Sequence, residues 1–179
     1  MAHRPLHLPI AAAALAAALA AGPAQARSIG CNQFMDAYNA AAGEHRQSFS
    51  RALTVGRSAE AGHDYFDAGA GDVDVTVVCR GDHFVRLEVR AATPVPARVE
   101  SRFARLQQAG VQVVVGGDRN RAAGVVRALT READEYLRGS QQRGDVYVAG
   151  KTERHMAGGV DLGMIATETD RTFIIVNGL

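Results

Sequence analysis

The chain has no excess of charge of either sign: 20 lysines and arginines stand against 19 aspartates and glutamates, a formal net charge of +1. Binding to nucleic acid or anionic lipid by bulk charge is therefore not expected. Lysine is almost absent, Lys151 being the only one, so positive charge is carried by arginine. Guanidinium groups suit planar anions, but a coding bias toward arginine and alanine accounts for the pattern as simply. Beyond the N-terminal region no apolar run approaches the roughly 20 residues of a membrane-spanning helix.

Signatures of familiar chemistry are missing too. There is no G-x-S-x-G, S-x-x-K or C-x-x-C, which leaves no readable nucleophile or dithiol redox motif. His45, His63, His83 and His155 show no H-x-H or H-x-x-x-H spacing, so no zinc set is implied. Gly150-Lys151-Thr152 echoes the end of a phosphate-binding loop, but the glycine needed five positions earlier is Asp145. Asp72 and Asp74 lack the further oxygen ligands that calcium requires. No cofactor is implied.

What is present begins with an export signal. Arg4, an apolar run from Ile10 to Ala21 and the small residues of Gly22-Pro23-Ala24-Gln25-Ala26 match a secretory signal peptide cleaved after Ala26. Removal of residues 1–26 leaves 153, enough for one domain with a real core, at 27–179. Two cysteines in an exported chain point to a Cys31–Cys79 disulfide. Both project onto apolar faces: Cys31 continues the stripe of Phe34, Met35, Tyr38, Ala41 and Ala42 on a helix expected over 32–42, and Cys79 lies on the inner face of a strand. A lipid anchor at Cys31 is disfavoured, because Arg27 intervenes after the apolar run and Ser28 stands where a large aliphatic residue is usual.

The stretch from Asp72 to Arg90 alternates as a β-hairpin. Making Arg80-Gly81-Asp82 a three-residue loop pairs Cys79 with His83, Val77 with Val85 and Val75 with Leu87, and keeps the apolar faces together; His83 is then expected to point inward. The tripeptide matches an adhesion signal, but glycine and aspartate are ordinary turn residues.

Elsewhere, strands are expected at 49–56 and 63–68, with Arg51 marking an edge, and a helix begins at Pro94–Pro96 with Val95, Val99, Phe103 and Leu106 as its buried stripe. Gly110 is read as its stop and 111–115 as a buried strand. The most amphipathic helix follows, ending near Gly139; strands are expected at 145–149, 160–167 and 172–176. This order predicts an α+β fold with one mixed, mainly antiparallel sheet of about seven or eight strands packed against about three helices.

Two sets of residues are candidates for ligand or partner binding. Arg98, Arg102 and Arg105 fall within about 60° on a helical wheel, a row able to grip an acidic partner or to serve as a solvated rim. Gly116, Gly117, Asp118 and Arg119 open a helix after an apolar stretch, where free amides favour anions, although Asp118 as an N-cap explains the same residues. The expectation is a small exported, bacterial periplasmic, non-catalytic binding or envelope-interaction protein, with an unidentified protein or envelope component as partner. Alternatives are a periplasmic hydrolase or other enzyme with a dispersed site, and a structural homo-oligomer subunit.

Overall fold

A computed structural model describes residues 29–52, 60–69 and 72–178; the expected signal peptide and the second half of the strand expected at 49–56 lie outside them. Helix α1 (Cys31–Ala42) is followed by a short 3-10 turn and by strands β1 (Ser50–Arg51), β2 (His63–Gly69), β3 (Val73–Arg80) and β4 (His83–Ala92). Two long helices come next, α2 (Ala97–Val115) and α3 (Arg119–Arg143), and then β5 (Ala149–Met156), β6 (Val160–Thr167) and β7 (Asp170–Asn177). The strands form one sheet in the order β1-β2-β3-β4-β7-β6-β5, antiparallel at every pairing. The fold is α+β as expected, but the sheet is not mixed.

Alternation places one face of the sheet under the helices. Val77, Leu87, Ile175 and Leu162 stand opposite one another across β3, β4, β7 and β6, and all are buried. The row of Val75, Val89, Phe173 and Met164 repeats the arrangement one pleat along. The C-terminal strand β7 is central, between β4 and β6, in keeping with its apolar run. At the other extreme, β1 is a two-residue edge, where Arg51 had marked one.

Residues 111–115, expected as a strand, continue α2: Phe103, Leu106, Gly110, Val111 and Val114 keep a helical stripe against the sheet. Gly110 is no stop. It is the point of closest approach, where a Cβ would lie 2.5 Å from Leu87 Cδ2 and 2.8 Å from Ile175 Cδ1. The helix ends at Gly116, whose φ of 74° suits only glycine well. In the same way α3 passes Gly139 and ends at a left-handed Gly144. Of the strand expected at 145–149, residues 145–148 are instead a connection with Val146 and Tyr147 exposed, and β5 begins at Ala149 and runs through the glycine-containing segment that follows.

The hairpin also departs from expectation in register. Its loop is Gly81-Asp82, with Arg80 opposite His83 and Cys79 opposite Phe84. A bulge at Val85 then restores Val77 opposite Leu87 and Val75 opposite Val89. The tight loop and the matched faces are thus compatible, at the cost of one unpaired residue. His83 faces solvent, and Phe84 takes the inward position.

Around this tip the N-terminal segment is fastened. The Phe84 amide donates to the Ile29 carbonyl at 2.9 Å and the Cys31 amide donates to the Asp82 carbonyl. Cys31 and Cys79 form a disulfide, Cα to Cα 5.9 Å, and Phe34 stacks on Phe84 with ring centroids 3.6 Å apart. Arg80-Gly81-Asp82 is thus part of the anchor for α1.

A cleft between the two long helices

Neither run of residues singled out in the sequence lines the cleft between α2 and α3. Arg98 is exposed and lies 3.9 Å from Asp72. Arg102 sits near the buried Tyr38, whose phenol is pushed far above its ordinary value by burial, an effect Arg102 opposes. Arg105 donates to the Ala41 carbonyl and approaches Gln112 Oε1 at 3.4 Å; burial, and then the nearby Arg119, lowers its pKa. The row runs along the seam between α1 and α2. Asp118 caps α3, its carboxylate accepting from the Arg121 amide at 2.8 Å, with Gly117, Arg119 and Asn120 exposed beside it. Gly116 closes α2.

A cleft that combines an apolar floor with polar groups lies on the other side of α2, against α3. Its volume is about 520 Å³. Phe103 and Ala104 from α2, Val126 from α3 and Val95 before α2 supply the floor. Val126, Thr130, Asp134 and Arg138 follow at every fourth position, so α3 presents one continuous stripe to the cleft. Thr130 spends its hydroxyl on the Val126 carbonyl at 2.9 Å. Of the charged residues lining the cleft, Arg127, Arg131, Arg138 and Arg171 outnumber Glu100 and Asp134, so the local field favours an anion.

Two of these residues are unusual for where they sit. Gln107 follows Val99 and Phe103 at four-residue spacing on the buried stripe of α2 and is 1% exposed, yet its Nε2 has no hydrogen-bond partner among the described residues. An unpaired buried amide costs about 1–3 kcal/mol. Arg171 projects from the core face of β7 with Ala91 and Ala166 as its cross-strand neighbours, and these small side chains leave room for its guanidinium. Arg171 Nη2 reaches Asp134 Oδ1 at 2.9 Å, close enough for an ion pair but not aligned as a hydrogen bond, so Asp134 Oδ1 and Arg171 Nε are both left without one. Two residues that line the cleft, Gln107 and Arg171, thus each carry a buried donor without a hydrogen-bond partner among the described residues. Chemically this suits a molecule with an apolar body and an acceptor-rich, negatively charged head.

The sequence carried a signal for both residues. Gln107 is a polar residue on an otherwise apolar helical stripe, and Arg171 shares its strand parity with Phe173 and Ile175. Asp134 gave no such sign. Among the described residues no group of three or more His, Cys, Asp or Glu is placed to hold a metal ion. No family model, curated protein or solved structure matches the chain.

Proposed function

We propose that the protein is an exported, non-catalytic binding protein of the bacterial envelope, and that the α2–α3 cleft holds its ligand, a small organic anion with an apolar body. The observation that carries this reading is the buried, unpartnered Gln107 amide in a cleft rimmed by arginines. Buried polar groups are nearly always hydrogen-bonded, and a ligand in the cleft would supply the partner that Gln107 lacks. The disulfide supports export, since such bonds persist in oxidising compartments. No helix among the described residues is long and apolar enough to cross a membrane.

In this reading, the floor formed by Phe103, Ala104 and Val126 takes the apolar body and Arg171, Arg127, Arg131 and Arg138 draw the head. Gln107 Nε2 donates to an oxygen of that head, and Arg171 Nε supplies a second donor. Titration with octanoate tests it, followed by the side-chain amide resonance of Gln107 in nuclear magnetic resonance spectra. Octanoate should shift this resonance and the neighbouring amides of α2 and α3 saturably; acetate, which lacks the apolar body, and octyltrimethylammonium, which reverses the charge, should not. No shift with octanoate, or the same shifts with the cation, overturns the assignment.

A further inference from the structure

The sheet has two edges of different character. Among the described residues β1 is two residues long, whereas β5 is a run of eight, paired to β6 on one side alone among the described strands. An open edge of this length is a template for another strand. Large apolar side chains gather beside it. Among the described residues four are exposed, and three of them, Tyr136 at 61%, Val146 at 93% and Tyr147 at 88%, lie on α3 or on the connection leading into β5. The connection is held against α3 by the Ser140 hydroxyl, which donates to the Tyr147 carbonyl at 3.3 Å, one helical turn from Tyr136.

The charges along the edge select an occupant. Lys151 and Glu153 lie two residues apart on the face of β5 away from the helices, 3.4 Å from each other and largely exposed. A two-fold axis perpendicular to the sheet keeps its faces distinct, so the register of β5 on a second β5 changes only in steps that preserve side-chain parity. With the axis at Thr152, each Lys151 stands opposite the second copy's Glu153. Moving the axis to Lys151 or to Glu153 sets like charges face to face. The strand is thus self-complementary in one register and self-repelling in the two adjacent ones.

We infer that the protein dimerises through β5, joining two seven-stranded sheets into one continuous antiparallel sheet, with reciprocal Lys151–Glu153 pairs and the exposed Tyr136, Val146 and Tyr147 flanking the seam. The interface uses no residue of the α2–α3 cleft and stands independently of the ligand reading.

Sedimentation equilibrium of the full chain, over micromolar to millimolar concentrations, tests the inference. Wild type should show a monomer–dimer equilibrium. Lys151→Glu and Glu153→Lys should each weaken it by at least about tenfold, because two symmetry-related attractive pairs both become like-charge pairs. The double exchange Lys151→Glu with Glu153→Lys should restore it. Unchanged melting of the dilute monomers keeps loss of the pair within one chain from being mistaken for loss of the dimer. A wild type that stays monomeric throughout means that Lys151 blunts the edge instead, and overturns the inference. Single variants that dimerise as wild type does, or a double exchange that fails to recover, also overturn it.

Discussion

A Cβ added to Gly150 would stand 1.9 Å from the Ala133 carbonyl oxygen and 2.6 Å from the Leu137 amide nitrogen, so β5 and α3 meet backbone to backbone. Neither atom is the free end of a side chain that could rotate away. Gly150→Ala is expected to lower stability by about 3 kcal/mol or more. Gly124, on α3 with nothing near its would-be Cβ, offers the opposite case: Gly124→Ala should raise stability by about 0.5–1 kcal/mol. Urea unfolding of the two variants beside wild type checks both signs.

The Cys31–Cys79 bond closes a separation of 48 residues and fastens α1 to the hairpin tip. On the chain-entropy model its removal costs about 4 kcal/mol. Reduction, or the double change Cys31→Ala with Cys79→Ala, should lower the melting temperature sharply. Hydrogen exchange should show α1 and the Phe84 amide losing protection first, because their contacts depend on the fastened segment.

A second tie between α3 and β5 is electrostatic. Glu132 accepts from Thr152 Oγ1 at 3.0 Å and also from Arg154. The Thr152 hydrogen bond, with Arg154 adding to it, holds the Glu132 carboxyl below its ordinary value. A pKa lowered by folding contributes stability that is complete above the unfolded value and is lost as pH falls through the folded one. Wild-type stability should therefore drop below about pH 4.5, and Glu132→Gln should flatten that acid limb. Asp145, also held low, mainly by its hydrogen bond from Arg143, leaves a residual slope. Melting temperatures of the two proteins from pH 3 to pH 7 would show the difference; parallel curves would mean that the pair does not couple to folding.

Much of the fold was legible because its strongest signals are local. The stripe through Phe34 and Tyr38 marked α1, the alternation of Val160 to Thr167 matched β6 end to end, and the apolar run after Arg171 marked the central strand. Errors arose where tertiary contact overrode a local preference. Val111 to Val115 is rich in β-branched residues, yet it stays helical because the sheet buries its stripe, and Gly110 serves as a contact point. Likewise Gly150 permits a strand to press against a helix. The hairpin register differs from the expected one because the bulge at Val85 lets a two-residue loop keep matched apolar faces, which alternation alone does not reveal. Of the cleft, Phe103 was visible as a core residue, but bringing Gln107 and Arg171 to one cleft depends on strand order, which no local pattern encodes.

On the proposed reading, Gln107 stays unpaired in the fold because a ligand completes it. Gln107→Leu separates this from a structural role, since leucine fills similar space without the amide. The decisive measurement is calorimetric titration of wild type and Gln107→Leu with octanoate, alongside their melting temperatures. Removing an unsatisfied buried amide should leave the variant as stable or more stable, by about 1 kcal/mol, while losing a hydrogen bond to a charged head should weaken octanoate binding about tenfold or more. Equal affinities in the two proteins, or no binding by wild type, would mean that Gln107 does not hold the ligand.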